Sequence, residues 1–137
     1  MYNPDFDARA RTWDENPVRR DLALAAARAI IAKAKPGSRT KALDYGCGTG
    51  LLGLSLQAHC ASITMADTST GMLDVLREKA TASGITNLKP IQLDLSMGED
   101  PLESYDLICV HMCLHHIRDT AQILTGLPSL INPGGNL

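Results

Sequence analysis

Two aspartates and a glycine-rich segment between them are the residues of this sequence whose types and spacing suit ligand binding. Asp44 is followed closely by Gly46, Gly48 and Gly50, and Asp67 comes seventeen residues after the last glycine. Glycines permit positive φ angles and let a ligand approach the main chain closely. A helix that begins after such a turn adds unpaired N–H groups, so the segment predicts a binding site.

A third aspartate, Asp94, completes the set. Asp67 follows the β-branched and apolar stretch 62–66, and Asp94 follows the stretch 88–93. A carboxylate in the position of Asp67 can accept hydrogen bonds from both hydroxyls of a ribose, and Asp94 has similar access to an adenine edge. Asp44, Asp67 and Asp94 therefore lie at the carboxyl ends of predicted strands, where open α/β sheets bind ligands.

The elements that must position these residues alternate along the chain. The sequence predicts strands over 41–45, 62–66, 88–93 and 105–110. It predicts helices over 18–35, 51–58, from Thr68 or Ser69 to near Gly84, and from Asp119, with a turn at 132–135. The pair Asn16-Pro17 favours a helix start, since Asn caps helices and Pro suits the first helical position. Strands that alternate with helices indicate an α/β fold with a parallel sheet.

The glycine segment has two other interpretations besides the binding of a ligand through Asp44. The glycines could serve only tight strand–helix packing, with the aspartates as caps. Alternatively, Gly48 to Gly53 matches GxGxxG, the pattern of nicotinamide dinucleotide sites. The register argues against a dinucleotide, because the turn begins at Gly46 and its third glycine position would be Leu51. Asp44 would also repel a pyrophosphate, whereas it suits a ligand with an amino group and a sulfonium.

Composition limits the classes of partner. The 137 residues carry a net charge of -2 and are 45% hydrophobic, as in a soluble single domain. Nucleic acid and anionic membranes normally require a basic patch, so neither is expected as a partner. The first residues do not form a secretory signal and no apolar run has the length of a membrane helix, which predicts a cytoplasmic location. The four cysteines are expected to be reduced and buried.

At this point the sequence resembles the class I S-adenosylmethionine-dependent methyltransferases, closest to the methyltransferase type 11/12 group. The matching segments are 43–50 (LDYGCGTG), 63–69 (ITMADTS), 92–95 (QLDL), 105–111 (YDLICVH), 114–117 (LHHI) and 130–137 (LINPGGNL). The opening segment, with Phe6-Asp7 and Thr12-Trp13-Asp14, is also similar to the family. These segments recur in order over nearly the whole chain.

The resemblance implies a role for each matched position. It implies that S-adenosylmethionine is the cofactor and S-adenosylhomocysteine the product. Its methionine end would be held by Asp44 and the 46–50 backbone, including Gly46, Cys47, Gly48 and Gly50. Its ribose would meet Asp67, and its adenine Thr68, Met72, Asp94 and the Leu95 N–H. His111 would lie where the fourth strand passes the methionine moiety. Trp13 would lie where family members close over the cofactor.

The resemblance also implies a domain plan. Residues 1–137 would form one S-adenosylmethionine-binding domain, with an N-terminal lid and helix in 1–36 and a Rossmann-like core in 37–137. The family sheet runs 3-2-1-4-5-7-6, and this sequence predicts only strands 3-2-1-4, flanked by helices and truncated before strand five. Strand four would then have an unpaired edge, which self-association or a partner could cover.

Three questions about chemistry stay open at this stage. His111, His115 and His116 are available as a general base, with His111 and His116 as the catalytic candidates, although loop packing or helix capping is the alternative for 115 and 116. Cys109, His111, Cys113 and His115 could bind a metal, but a metal is not expected because their face points into a core. Tyr2, Phe6 and Trp13 form either an acceptor lid or a hydrophobic staple on the first helix.

Two functions remain for the chain as given. One is an S-adenosylmethionine-dependent methyltransferase that acts on a small-molecule acceptor. The other is a cofactor-binding fragment, or a module completed by a partner, without activity alone. A NAD-binding dehydrogenase domain is the third and least favoured.

Overall fold

The computed structural model describes residues 4–101, 103–111 and 126–137. The chain begins with helix α1 (Pro4–Arg9), a 3-10 helix (Ala10–Glu15) and the long helix α2 (Pro17–Ala34). The predicted start of α2 is confirmed, because Asn16 accepts a hydrogen bond from the Val18 N–H and Pro17 occupies the first turn. The helix ends at Ala34, and its C-cap residue, Lys35, adopts a left-handed conformation.

In the described residues, five strands and two further α-helices follow, and the helix predicted from Asp119 begins outside those residues. The strands are β1 (Lys41–Tyr45), β2 (Ser62–Asp67), β3 (Leu88–Gln92), β4 (Tyr105–Val110) and β5 (Ile131–Asn136), and the helices are α3 (Leu51–Leu56) and α4 (Thr70–Ala82). Short 3-10 helices lie at Gln57–His59, Leu95–Met97 and Leu127–Leu130. Ser69 caps α4 by accepting a hydrogen bond from the Met72 N–H, as one of the two predicted caps.

The strands form one parallel sheet in the order β3-β2-β1-β4-β5. Asp44 of β1 lies opposite Met65 of β2 and Cys109 of β4, and Asp67 lies opposite Gln92 of β3. The predicted Rossmann-like α/β sheet and its 3-2-1-4 core are therefore confirmed. The parallel arrangement brings the carboxyl ends of β1, β2 and β3 to the same edge.

The prediction that the sheet stops before strand five is wrong. The Ile131–Asn136 segment, whose sequence predicts a turn at 132–135, pairs with β4 as the fifth strand. Pro133 has no N–H to donate, which an edge strand tolerates. A side chain at Gly135 would come within 2.7 Å of the Asp106 carbonyl oxygen, so glycine permits the close strand approach. Asn132 also donates to the Asp106 carboxylate, at 3.0 Å.

This fifth strand removes the reason given for self-association. The outer edge of β4 is paired with β5, so it presents no open edge for a second chain to cover. The edge strands of the sheet are β3 and β5.

Side chains alternate between the two faces of the sheet and form two cores. One lies between the sheet and helices α2, α3 and α4, and includes Ala27, Ala42, Leu52, Met65 and Leu76. The other lies on the opposite face and includes Leu43, Tyr45, Ile108, Leu127 and Leu130. Within the described ranges, no helix combines the length and the apolar character that a membrane span requires.

Candidate functional site

The glycine segment forms a tight left-handed turn at the end of β1. Gly46, Gly48 and Gly50 have φ angles of 73°, 57° and 91°, and Gly50 is the residue that precedes α3. The N–H groups of Gly46 and Cys47 both donate to the Ala66 carbonyl, at 2.8 and 3.0 Å. The turn is therefore fixed to β2, and its conformation explains why glycine occupies these positions.

Asp67 joins this turn to the one that follows β2. Its Oδ2 accepts from the Gly48 N–H at 2.8 Å, and its Oδ1 accepts from the Ser69 N–H at 2.9 Å. Burial raises the pKa of Asp67, against the lowering effect of the Ser69 and Gly48 N–H groups. Each carboxylate oxygen has two lone pairs, so both can accept a further hydrogen bond from a ligand hydroxyl.

Asp44 has a different environment. Its side chain is 1% exposed, and the Gly53 N–H of α3 is a hydrogen-bond donor to it. Its Oδ2 is buried and has no hydrogen-bond partner in the described part of the chain. Burial, together with the nearby Asp67 charge, raises the pKa of Asp44 to about 8. A buried acceptor without a donor is costly in a folded protein, so this oxygen is suited to a donor from a ligand.

Asp94 is satisfied by its own surroundings. Its Oδ1 accepts from the N–H and hydroxyl of Ser96, at 2.9 and 2.5 Å, which caps the short helix that follows β3. Its N–H donates to Glu99 at 2.9 Å. The Leu95 N–H, predicted to face adenine, donates to the Tyr45 hydroxyl at 3.0 Å. Tyr45 is a contact that the sequence did not indicate.

Trp13 and Met72 converge on the middle of the glycine turn. A side-chain carbon placed on Gly48 would lie 3.8 Å from Trp13 Nε1 and 4.0 Å from Met72 Sδ. Met72 is buried in the first turn of α4. The structure thus brings Trp13 and Met72 next to the turn. Thr68 is half-buried, and its carbonyl accepts a hydrogen bond from Gln92 at 3.2 Å.

Aromatic and cationic groups surround Trp13. The Arg19 guanidinium lies 3.6 Å from the ring centroid, and the Arg9 guanidinium lies 5.2 Å away. Phe6 meets the ring edge-on, with centroids 5.8 Å apart. Arg19 also donates to the Trp13 carbonyl at 3.3 Å. Both the lid and the staple interpretations fit these contacts, since Trp13 touches α2 through Arg19 and the turn through Gly48.

His111 follows β4 directly. Its Nε2 is buried without a hydrogen-bond partner among the described residues, and burial lowers the pKa of the ring. The described residues do not include His116, His115, Cys113 or Tyr2.

The buried free thiols of the described residues are Cys47, Cys60 and Cys109, and burial raises their pKa values. Within the described ranges, no three His, Cys, Asp or Glu side chains are grouped so that they could hold a metal.

Two aspartates of the N-terminal segment were not predicted as site residues. Asp7 Oδ1 accepts from the Ser69 hydroxyl at 2.6 Å and from the Gly71 N–H at 2.7 Å. Asp14 accepts from the Thr49 hydroxyl inside the glycine turn. Their only sequence signal is the similarity of the 6–14 segment to the opening of the family. Spacing alone could not reveal contacts between residues so far apart in the chain.

These features agree with comparisons to known proteins. Residues 42–135 match the family described as Methyltransferase domain, so this chain belongs to that family. The predicted class, the class I S-adenosylmethionine-dependent methyltransferases, is thereby confirmed at the level of the family and the fold.

Two curated relatives illustrate the match. The chain is 34% identical to the ubiquinone biosynthesis O-methyltransferase of Xylella fastidiosa over 123 residues, which cover 89% of this chain and 46% of the relative. It is 34% identical to an uncharacterized methyltransferase of Mycobacterium tuberculosis over 95 residues, 69% of this chain and 47% of the relative. The chain spans between 36% and 57% of the length of the curated relatives compared with it.

Solved structures share the fold. A putative S-adenosyl-L-methionine-dependent methyltransferase from Methanococcus maripaludis superposes with a TM-score of 0.83 at 20% identity, over 98% of this chain and 64% of the other. DhpI, solved as a complex with SAH, gives a TM-score of 0.75 at 26% identity, over 95% of this chain and 62% of the other.

Proposed function

We propose that this chain carries the cofactor site of an S-adenosylmethionine-dependent methyltransferase that acts on a small-molecule acceptor. The observation that carries the proposal is the Oδ2 of Asp44, which is buried beside a left-handed glycine turn and has no partner among the described residues. A cationic amino group or sulfonium would stabilise the ionised form of this carboxyl and lower its raised pKa, whereas a pyrophosphate would favour the protonated form still further. DhpI, a solved protein of the same fold, was crystallised with SAH, which supports the same ligand class.

The described contacts support a role for each side of the cofactor. Asp44 and the 46–50 turn would hold the methionine end, and Asp67 would accept the ribose hydroxyls while it keeps its two backbone bonds. Thr68 and Met72 would flank the adenine. Asp94 and the Leu95 N–H would face the adenine edge, and this role requires the Leu95 N–H to leave the Tyr45 hydroxyl.

Methyl transfer requires the protein mainly to position the methyl donor and the acceptor. When bound, S-adenosylmethionine supplies a methyl group on a positively charged sulfur. The chain's residues then bind and orient the donor beside the acceptor, and such positioning contributes several kcal/mol to catalysis. The segment 4–15 supports exclusion of water, because Trp13 lies over Gly48.

His111 is the proposed general base where the acceptor must lose a proton. Burial lowers its pKa, so the ring is neutral near pH 7 and one nitrogen has a free lone pair. Its Nε2 is buried and has no partner in the described part of the chain, so an acceptor hydroxyl or amine that reaches it would supply a missing hydrogen bond. His116 is the second proposed base. The small-molecule acceptor and the proton transfer to a histidine are both parts of this proposal.

Calorimetric titration tests the cofactor class. We expect S-adenosylhomocysteine and S-adenosylmethionine to bind and NAD not to bind. Asp67→Ala should weaken S-adenosylhomocysteine binding by more than about tenfold, because two charge-assisted hydrogen bonds to the ribose are lost. Asp74→Ala is the matched control, since it removes an exposed carboxylate of α4 that pairs only with Arg77 in the described contacts. Tight NAD binding, or an unchanged dissociation constant in Asp67→Ala, would refute the assignment.

A second function follows from the length of the relatives. Because the chain spans only 36% to 57% of the length of the curated relatives compared with it, a cofactor-binding module without activity alone is the alternative. Incubation with S-adenosylmethionine and panels of phenols, catechols and amines separates the two, since turnover to S-adenosylhomocysteine supports the enzyme and binding without turnover supports the module. The division into a 1–36 lid and helix and a 37–137 core, and a cytoplasmic location, belong to the same proposal.

A further inference from the structure

Asp14 connects three elements around the glycine turn. Its Oδ1 accepts from the Thr49 hydroxyl at 2.5 Å, and its Oδ2 accepts from Lys79 Nζ at 2.6 Å. Thr49 belongs to the turn after β1, and Lys79 belongs to the last part of α4. Asp14 itself lies in the 3-10 helix that follows α1, next to Trp13. One carboxylate therefore links the N-terminal segment to two sides of the site.

The bond to Thr49 is distinctive because the preceding residues of the turn, 46–48, are fixed from β2. Gly46 and Cys47 are anchored by the Ala66 carbonyl, and Gly48 is anchored by Asp67. Thr49 lies between two left-handed glycines and is 1% exposed. The hydroxyl bond to Asp14 is thus the described side-chain contact that fixes this part of the turn from the N-terminal side.

From this geometry we infer that Asp14 is a positioning residue that sets the affinity of the cofactor site by bracing Thr49 and holding Trp13 over Gly48. The inference rests on the proposed function for its ligand. Lys79 neutralises the carboxylate, and the side chains of Lys79 and Asp14 are only 28% and 34% exposed. Partial burial strengthens such a charged contact relative to a fully exposed pair.

A simple tether between the N-terminal segment and α4 is the competing explanation, and the chain contains a control for it. Arg11 forms an ion pair with Glu78. This pair joins the same two elements on the exposed surface, without contact to the turn among the described contacts. If tethering alone matters, loss of Arg11 and loss of Asp14 should have the same effect.

The test is a mutant cycle read by S-adenosylhomocysteine affinity. We expect Asp14→Ala and Thr49→Val each to weaken binding by about tenfold, and the double variant to be no weaker than the worse single variant, since contacting residues are not additive. Asp14→Asn retains an acceptor oxygen for Thr49 and should recover most of the affinity. Arg11→Ala should stay within about twofold of the parent chain, as expected for an exposed pair.

A second readout does not depend on the ligand. Trp13 is the single tryptophan of the chain, so its emission reports the position of the indole. Without ligand, Asp14→Ala and Thr49→Val should shift the emission to longer wavelength, and Arg11→Ala should not. Thermal denaturation of each variant verifies that it is folded, and Asp14→Asn serves where Asp14→Ala fails to fold.

The two readouts distinguish a failure of the proposed function from a failure of the positioning role of Asp14. If the parent chain binds no S-adenosylhomocysteine but the emission shifts follow the expected pattern, the proposed function is wrong and the bracing role of Asp14 stands. If the parent chain binds and the Asp14 and Thr49 variants match it in affinity and emission, the positioning role is wrong. Equal losses in Arg11→Ala and Asp14→Ala would also overturn it.

Discussion

An aspartate lies near the carboxyl end of β1 and another lies near that of β3, but the two carboxylates differ in their hydrogen bonding. Asp44 lies inside β1, faces α3 and has a buried oxygen without a partner in the described residues. Asp94 lies just after β3 and receives two hydrogen bonds from Ser96. The two carboxylates are therefore equivalent in the sequence pattern but differ in what the fold supplies to them.

The difference has a local cause. A residue that follows a strand can turn back onto the N–H groups that come next, so Asp94 caps its own short helix. Asp44 is within a strand, whose N–H groups are used by the neighbouring strands, and only Gly53 of α3 donates to it in the described contacts. An acidic strand end that remains unsatisfied is thus the stronger indicator of a ligand site.

The largest expected effect tests the charge at Asp44. Its pKa is raised from 3.8 to about 8, so the folded chain holds a proton that the unfolded chain has lost. The stabilising effect of the protonated group is complete below the ordinary pKa and is lost as the pH rises toward about 8. Asp44→Asn should therefore gain stability relative to the parent chain as the pH rises from about 4 to 8, measured by urea denaturation.

The control for this prediction is Asp74→Asn, which changes an exposed carboxylate. Its free energy of unfolding should follow the parent chain across the same pH range. A constant difference between Asp44→Asn and the parent chain at every pH would show that folding does not raise the pKa of Asp44, and the contrast with Asp94 would fail.

The next effect concerns the turn beside Asp44. Gly50 has a φ of 91°, and an added side-chain carbon would lie 2.4 Å from Leu76 Cδ1. Gly50→Ala combines backbone strain with overpacking, so it should lower the free energy of unfolding by roughly 2–5 kcal/mol. Gly37→Ala is the control because the space around Gly37 is open, and it should stay within about 0.5 kcal/mol. Equal denaturation midpoints for the two variants would contradict the structure of the turn.

The smallest effect belongs to Asp94. Asp94→Ala removes the cap of the 95–97 helix and should cost about 1 kcal/mol at neutral pH. Asp94→Asn retains an oxygen that accepts from Ser96 and should cost less. Denaturation in urea measures both variants beside Asp44→Asn, which should have the opposite sign at this pH. A stabilised Asp94→Ala would remove the distinction between the two strand ends.

Much of the fold could be predicted because it depends on local patterns. The alternation of strands and helices gave β1 to β4, and Asn16-Pro17 marked the start of α2. The fifth strand could not be predicted in the same way, since its Asn-Pro-Gly-Gly sequence favours a turn. Its pairing depends on a close approach to Asp106 of β4, which only the folded sheet creates.

The residues of the candidate site also differ in whether the local sequence could predict them. The glycine turn and Asp67 were recognisable because their backbone requirements and their place after a strand are local properties. Asp7, Asp14 and Tyr45 were not, because their contacts join residues as much as 65 positions apart. The Leu95 N–H was predicted to be open to a ligand, whereas Tyr45 occupies it.

By itself, the sequence determined the order of the elements, the left-handed turn and the acidic residues at the strand ends, because each follows from backbone preference or from residue order. The tertiary structure decided that Asp67 and Asp94 are satisfied and that one oxygen of Asp44 has no partner among the described residues. Burial and hydrogen bonding depend on what packs against a group from distant parts of the chain. Only the folded structure therefore distinguishes Asp44, whose Oδ2 has no partner in the described part of the chain, from Asp94, whose oxygen caps a helix.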